Sequence, residues 1–449
     1  MRKHGGIAGI VFQPLIILVF GFLIALLVPP FQSPDEYNHF FRAYQVSEGQ
    51  FFCEKRDARL GGKLPASLSA LRDSFLYLKN NYDARLSLQG LKNGLSISLD
   101  PDNRKFTDFA NTAIYAPTGY LPQALAIAIL RLFNAGPLYM LYAARLANLL
   151  LWFFVIRATL RIWPYNRIAV TAIAMLPATL CIAASTNAEV TTGCLLWWLI
   201  AGFMGNLTRE LYWKKVLGVI AVTLNKLITW PIILLAGFSR LNKRQLIGLF
   251  VAGTISAILW AKLAQNWFIP YDEYHASFRD SQTLNAGVDP GRQMDYVLGH
   301  PLQFMITVTK SLFRALPSLG AHFVGKFGWE KNYLPGWCVL LLWLALFGLV
   351  LSEKNPFGQK PRMSMATVLL LYVLAFAYTI YLLWIPVGAD QLDNWQGRYF
   401  IPVAPLAVMA FGNGLLDKWR QEIVRFSAYI LLLGNMLMLV WIWMRYWHV

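Results

Sequence analysis

Two adjacent carboxylates and an imidazole follow the first hydrophobic segment of the chain. Asp35, Glu36 and His39 lie a few residues beyond the apolar run 10–28, behind a proline-rich turn. Charge so close to a membrane is costly to desolvate, so acidic residues there are usually either part of a solvated loop or part of a reactive site. A carboxylate in this place could take a proton from an attacking hydroxyl, a role that contributes about 10² to 10⁴ in rate.

The same residues also have structural interpretations. Asp35 and Glu36 could cap the predicted helix 37–48, because acidic residues favour helix N-termini. His39 follows Asp35 by four residues, so it could orient that carboxylate, help to bind a metal, or simply pack at the interface. Asp35, Glu36 and Glu189 could together hold a divalent metal, since hard cations take carboxylate oxygens. We predict neither a metal nor another cofactor.

The composition is that of a polytopic membrane protein. Hydrophobic residues make up 57% of the chain and charged residues only 14%, whereas about 25% of residues are charged in soluble domains. The formal net charge of +17 could suggest a nucleic-acid partner. Excess Lys and Arg are, however, typical of cytoplasmic loops. We therefore expect the lipid bilayer as a partner and no nucleic acid.

We predict an all-α fold of about eleven transmembrane helices, chosen so that all short basic loops share one side of the membrane. The predicted spans are 10–28, 138–158, 168–184, 188–205, two short helices within 216–238, 245–264, 334–351, 365–385, 399–416 and 425–445.

This arrangement requires two departures from simple hydropathy. The apolar stretch 115–133 must lie along the interface, because its early prolines and glycine make a poor start for a span of about 20 residues. The stretch 216–238 must break at Asn225-Lys226. The N-terminus is then cytoplasmic and the C-terminus external. The chain 1–449 forms a single membrane domain, with 29–137 as the first external loop and 265–333 as the second.

The acidic residues are predicted to lie mostly outside. Of 23 in the chain, only Glu210, Glu353, Asp417 and Glu422 are predicted to be cytoplasmic, and none falls within the core of a span. A proton-coupled pump would be expected to hold Asp or Glu at mid-membrane. This distribution favours an enzyme whose active site opens at the outer surface.

The run Pro-Asp-Glu-Tyr-Asn-His-Phe-Phe-Arg-Ala-Tyr at 34–44 resembles the opening motif of a family of bacterial polytopic membrane proteins grouped with the GT-C glycosyltransferases. Further matching positions occur in order over 29–405: Tyr115, Tyr120, Arg145, Asn148, Asn187, Glu189, Lys226, His300-Pro301 and Gln396-Gly397-Arg398-Tyr399. The wider GT-C superfamily includes protein O-mannosyltransferases and lipid A aminoarabinose transferases. Those enzymes have an Asp-Glu pair after the first span and an interfacial helix before the second.

The resemblance implies transfer of a sugar from a polyprenyl-phosphate-linked donor to a glycan or lipid acceptor. The reaction would take place on the periplasmic or outer face of the bacterial cytoplasmic (inner) membrane. Asp35 matches the superfamily's catalytic base, and Glu36 is placed to orient it or to bind the sugar. Glu189 stands where the superfamily more often has Asp.

A departing lipid phosphate needs positive charges fixed before reaction. We expect Lys226, Arg398 and Arg145 to supply them. Each has a structural alternative: a loop charge for Lys226, an ion pair with Asp390 or Asp393 for Arg398, and snorkelling to the outer surface for Arg145.

Four further residues complete the predicted substrate-binding set. Tyr115 and Tyr120 are placed for contacts with the lipid carrier, although core packing is their alternative. His39 and Glu189 are the weaker members. Two other functions stay open, namely a transporter or flippase of lipid-linked glycans and a non-catalytic subunit of a polysaccharide assembly complex.

Overall fold

The computed structural model describes residue 9 and residues 11–205, 212–279, 285–329 and 332–447. Its α-helices are Leu15–Leu27, Glu36–Ser47, Ala66–Phe75, Leu88–Leu95, Ala110–Ala113, Leu121–Arg131, Pro137–Ile162, Arg167–Ala174, Pro177–Ala183, Glu189–Met204, Tyr212–Asn225, Lys243–Gln265, Ala276–Arg279, Pro290–Gly299, Pro301–Gly325, Gly336–Leu351, Gln359–Trp384, Ala404–Phe411 and Arg420–Tyr446. The 3₁₀ helices are Leu76–Leu78, Pro117–Tyr120, Leu227–Phe238, Gly397–Val403 and Asp417–Trp419.

Within the described residues, 4 helices are long and apolar enough to cross a membrane. They are Pro137–Ile162, Lys243–Gln265, Gln359–Trp384 and Asp417–Tyr446. Shorter apolar segments accompany them: Leu15–Leu27, Glu189–Met204, Leu227–Phe238, Gly336–Leu351 and Gly397–Phe411. This is the pattern of a membrane protein. The total of eleven spans stays a prediction.

Proline and local backbone geometry break several of the predicted spans. The span predicted at 168–184 is two helices, because Leu176 before Pro177 adopts an extended conformation, as residues before proline tend to do. The stretch predicted to break at Asn225-Lys226 does so. The helix Tyr212–Asn225 ends there, and Lys226 is extended with φ −150° and ψ 116°.

A three-stranded antiparallel sheet shows that the all-α prediction is wrong. Its strands β1 (Glu54–Arg56), β2 (Arg59–Pro65) and β3 (Arg104–Asp108) pair in that order. The turn between β1 and β2 has two central residues with positive φ, Asp57 at 52° and Ala58 at 55°. Positive φ at both central positions is what a two-residue type I′ hairpin requires.

The helix Leu121–Arg131 has 11 residues, fewer than the roughly 20 needed to cross a membrane. It packs against the helices Glu36–Ser47 and Pro137–Ile162. It therefore belongs to the scaffold around the predicted site, and its position at the membrane surface stays a prediction.

The predicted site and the basic loops lie at opposite ends of the long helices. At the site end, the Trp447 indole donates to the carbonyl oxygen of Leu27 at 2.8 Å. At the other end, the Asn166 amide donates to the Leu349 carbonyl at 2.8 Å, and the Leu416 N–H donates to the Leu351 carbonyl at 2.9 Å. The loops 163–166, 352–358 and 412–419, which contain or adjoin Lys and Arg residues, thus lie together. Arg2, Lys3, Arg209 and Glu210 lie outside the described residues.

Candidate functional site

The carboxylate of Asp35 is held by two side chains from distant segments. Its Oδ2 accepts a hydrogen bond from Arg398 Nη2 at 3.0 Å, and its Oδ1 accepts one from Asn111 Nδ2 at 3.2 Å. Asp35 precedes the helix Glu36–Ser47 with a left-handed φ of 61°, and its side chain makes no capping bond. Helix capping therefore does not explain the position of the Asp35 side chain. This side chain is 21% exposed.

Arg398 lies at the start of the 3₁₀ helix Gly397–Val403. Its Nη2 also donates to the Tyr399 hydroxyl at 3.2 Å, and its Nε is buried without a hydrogen-bond partner. Arg398 pairs with Asp35, which is 363 positions away in the chain. The alternative pairing with Asp390 or Asp393 does not occur.

A second ion pair lies nearby, between Glu189 and Lys226. Lys226 Nζ is 2.6 Å from Glu189 Oε1, and the side chains are 14% and 8% exposed, respectively. The break after Asn225 positions Lys226, and Glu189 begins its own helix. Lys226 is therefore more than a solvated loop charge.

Tyr399 connects the two ion pairs. The centroid of its ring lies 4.7 Å from Lys226 Nζ and 5.1 Å from Arg398 Cζ, distances typical of cation–π contacts. We call Asp35, Arg398, Glu189, Lys226 and Tyr399 the charged cluster. It brings two carboxylates and two cations, arranged as two ion pairs, to the site end of the helices.

His39 packs beneath this cluster as a neutral ring. Its Nδ1 lies 2.8 Å from the Tyr120 hydroxyl, and its ring stacks on Tyr115 with centroids 6.1 Å apart. Burial lowers its pKa to about 3; the charge of Glu189 opposes that shift, while Arg398 and Lys226 add to it. These contacts agree with the packing alternative for His39, since Tyr120 takes its Nδ1 and Tyr115 stacks on its ring.

Tyr115 and Tyr120 also remain neutral, because burial raises the pKa of both hydroxyls well above the usual value. Tyr120 is fully buried, which agrees with the core-packing alternative. Tyr115 is only partly buried, and its ring centroid lies 5.7 Å from Lys226 Nζ. Of these two tyrosines, Tyr115 is therefore the one that borders the charged cluster.

Glu36 and Arg145 form a sealed ion pair away from the charged cluster. Their side chains are 0% exposed, and Arg145 donates to Glu36 through Nε at 2.8 Å and Nη2 at 2.6 Å. The other N–H groups of Arg145 donate to the carbonyls of Ala25, Val28 and Pro29.

No Arg145 donor is left over, so the guanidinium can neither bind a phosphate nor reach the surface by snorkelling. Glu36 is likewise occupied, since its oxygens also accept from the backbone N–H groups of Phe31 and Thr186. We correct both assignments: this pair anchors the first helix to the helix Pro137–Ile162, and Glu36 is not positioned to bind a sugar.

The three carboxylates that could have shared a metal do not converge. Asp35 faces Arg398, Glu36 faces Arg145 and Glu189 faces Lys226. The part of the chain that the structure describes contains no group of three or more His, Cys, Asp or Glu residues suited to holding a metal ion. The arrangement gives no support to the metal alternative.

Two clefts meet at Arg398. One has a volume of about 460 Å³, counting its solvent-open space, and is lined in part by Ser33, Pro34 and Arg398. The other, of about 290 Å³, is lined mainly by apolar residues, among them Trp152 and Pro402, together with Glu189 and Arg398. Arg398 therefore lines both the larger cleft, which has several polar side chains, and the smaller one, which is almost entirely apolar.

Two members of this site were missed by sequence reasoning. Tyr399 follows Arg398 in the Gln-Gly-Arg-Tyr motif at 396–399, so the motif contained a usable signal. Asn111 follows β3, and nothing in its local sequence indicates that it would reach Asp35. Its role follows from the tertiary fold.

Comparison with known proteins assigns the family. The model of the family described as "Predicted membrane protein (DUF2142)" matches residues 18–407, a range that includes the whole charged cluster. No curated protein and no solved structure matches the chain. Because the match covers most of the sequence, the chain belongs to the DUF2142 family of predicted membrane proteins.

Proposed function

We propose that this protein is a GT-C-like membrane glycosyltransferase, which moves a sugar from a polyprenyl-phosphate-linked donor to a glycan or lipid acceptor. One observation carries the proposal. A partly exposed carboxylate, Asp35, is fixed against Arg398 at the junction of the two clefts. This junction lies at the end of the helices opposite the basic loops, which is the end predicted to face outward.

Asp35 would act as the general base. An acceptor hydroxyl attacks the anomeric carbon of the donor sugar, and its proton passes to the Asp35 carboxylate. A bond forms between the acceptor oxygen and the anomeric carbon while the bond from that carbon to the phosphate oxygen breaks. Asn111 and Arg398 each hold one carboxylate oxygen, which fixes the direction of the lone pairs.

The lipid phosphate would leave with the electrons of the broken bond. Its growing negative charge requires cations already in place, since preorganised charges stabilise a transition state without reorganisation. Arg398 and Lys226 are held by Asp35 and Glu189 and by the shared Tyr399 ring. Their positions suit this task, whereas Arg145 is excluded from it.

The paired clefts suit an amphiphilic donor. A polyprenyl-phosphate sugar combines a polar head with a long apolar chain. Arg398 lines both clefts, so the phosphate at the junction of head and chain would lie beside its guanidinium. Trp152, which lines the apolar cleft, belongs to a helix long enough to cross the membrane, which suits a ligand chain that enters from the bilayer.

The test compares surface glycans from a strain lacking the gene with those of complemented strains. Mass spectrometry of envelope polysaccharides and glycolipids should show one sugar missing in the deletion strain. The wild-type gene should restore it and Asp35→Asn should not. The matched control is Asp73→Asn, because Asp73 is exposed and pairs with Arg72 rather than with a member of the charged cluster. It should restore the sugar fully.

An unchanged glycan profile in the deletion strain would contradict the proposal. Full restoration by Asp35→Asn would exclude Asp35 as the base. The transporter or flippase alternative makes a different prediction, namely that liposomes containing only the purified protein move lipid-linked sugar between leaflets. Such movement, without sugar transfer, would replace the transferase proposal.

A further inference from the structure

The larger cleft, beside Asp35, is lined by two basic residues that the proposed reaction leaves unassigned, His322 and Lys326. Its polar lining residues are Ser33, Ser185, Asn187, His322, Lys326, Gln396 and Arg398. They come from separate parts of the chain, and His322 and Lys326 belong to the second large external segment. No acidic side chain lines this cleft among the residues that the structure describes.

The surroundings of His322 disfavour the protonated form of its ring. Its pKa is lowered to about 4, first because the ring is partly buried and then because the positive charges of Lys326 and Arg398 repel the proton. Groups that oppose a proton attract an anion for the same reason. Lys326 and Arg398 thus bring two positive charges to the lining of this cleft.

Two residues that line this cleft each have a buried nitrogen atom without a hydrogen-bond partner, namely His322 Nδ1 and Arg398 Nε. Buried polar atoms are nearly always paired in folded proteins, so unpaired ones call for an explanation such as a ligand. Arg398 uses Nη2 to hold Asp35. Its Nε has no partner, and the planar shape of the guanidinium matches the oxygens of a phosphate.

We propose that this cleft binds a phosphate group through Arg398, Lys326 and His322, with Arg398 bridging the phosphate and Asp35. The bridging role of Arg398 rests on the proposed transferase function, because it places the leaving phosphate beside the base Asp35. Phosphate binding by the cleft does not rest on that function, since it can be measured without any sugar transfer.

The phosphate could belong to a lipid or be free in solution, and the experiment separates these sources. Binding to the purified full-length protein would be measured with radiolabelled polyprenyl phosphate, with inorganic phosphate, and with the polyprenol that lacks phosphate. Binding of polyprenyl phosphate alone identifies a lipid headgroup site. Binding of both phosphate probes identifies a site for the phosphate itself. Either result, together with weak binding of the alcohol, supports the proposal.

Lys326→Gln should weaken binding of the phosphate probes about tenfold or more, because it removes a charged hydrogen-bond donor. Lys310→Gln is the matched control, since Lys310 is exposed on the helix Pro301–Gly325 and does not line the cleft. It should bind like the wild type. Should Lys326→Gln fail to fold, His322→Asn takes its place, with the same expected direction.

Equal binding of the phosphate probes to wild type and the cleft variants would overturn the proposal, and so would equal binding of the phosphate-free alcohol. The failure of the proposed function would look different. In that case phosphate binding would depend on Lys326 while no sugar is transferred. Intact transfer by a variant that has lost phosphate binding would overturn this inference alone.

Discussion

Three ion pairs between a carboxylate and a cation occur at the site end of the helices, and their surroundings give them different roles. Glu36–Arg145 is sealed, with every guanidinium donor used. Asp35–Arg398 borders two clefts and retains an unpaired nitrogen. Glu189–Lys226 is intermediate in burial, since its side chains are 8% and 14% exposed. The residue types alone cannot distinguish the roles of the three ion pairs, because the burial of each pair and the number of its unpaired hydrogen-bond donors depend on the folded structure.

Replacing Glu36 by Gln should destabilise the protein strongly. Removing one partner of a buried ion pair leaves an unpaired charge and typically costs about 3–5 kcal/mol. Thermal unfolding of the detergent-purified protein would measure the effect. Asp73→Asn is the control, since it breaks the exposed pair with Arg72 and should cost less than about 1 kcal/mol. A Glu36→Gln variant as stable as the control would show that Glu36 does not anchor the first helix.

His39 should make the protein less stable in mild acid. Its pKa is about 3 in the folded protein and about 6.5 in the unfolded chain. Between these values the unfolded chain binds more protons, so stability falls as the pH is lowered below about 6.5, by up to about 1.4 kcal/mol per pH unit. Stability above that pH is unaffected by this group.

Unfolding temperatures of wild type and His39→Gln between pH 7.5 and 4.5 would check this expectation. The variant should show a flatter dependence on pH, while His300→Gln, at an exposed histidine, should behave like the wild type. Identical curves for wild type and His39→Gln would contradict the assignment of a buried, neutral ring.

At the scale of elements, the helix break at Asn225-Lys226 could be predicted and the β-sheet could not. Charge parity between loops requires the break, and that information is present in the order of Lys and Arg along the chain. The sheet depends on pairing between β2 and β3, which are separated by about 40 residues in the sequence. Their residues show no clear alternation of polar and apolar side chains, so the local pattern does not indicate strands.

Gly61 should be required for this sheet. A Cβ at Gly61 would lie 1.9 Å from the carbonyl oxygen of Thr107 on β3, so Gly61→Ala forces the strands apart. We expect a loss of about 1–3 kcal/mol, as for other overpacked sites. Gly336→Ala is the control, because a Cβ there meets nothing within 4 Å. Unfolding temperatures and protease sensitivity of β2 would measure the difference, and equal values would contradict the close pairing.

At the scale of the whole molecule, the charged cluster and the basic loops lie at opposite ends of the helices. The sequence predicted which residue types would gather at the site end, and Asp35, Glu189, Lys226 and Arg398 do gather there. It could not predict which cation faces which carboxylate. The pairing depends on packing between segments as far apart in the chain as Asp35 and Arg398. A single sequence does not indicate such contacts directly.

Cysteine labelling should show the two ends on opposite sides of the membrane. The native cysteines, Cys53, Cys181, Cys194 and Cys338, are all buried, so their background should be low. In intact cells a membrane-impermeant maleimide should label Arg56→Cys in the external sheet but not Lys354→Cys in a basic loop. The side chains of Arg56 and Lys354 are 51% and 82% exposed. Labelling of both positions, or of Lys354→Cys alone, would contradict the orientation.

Sugar transfer by the purified protein tests the central proposal most directly. A strain lacking the gene should accumulate the lipid-linked sugar donor, which can be extracted and incubated with the protein and envelope acceptor. Mass spectrometry would follow the release of polyprenyl phosphate. We expect the wild type to release it and Asp35→Asn to release it about 10² to 10⁴ times more slowly, with donor binding retained. Release by Asp35→Asn at the wild-type rate, or no release by the wild type, would contradict the account.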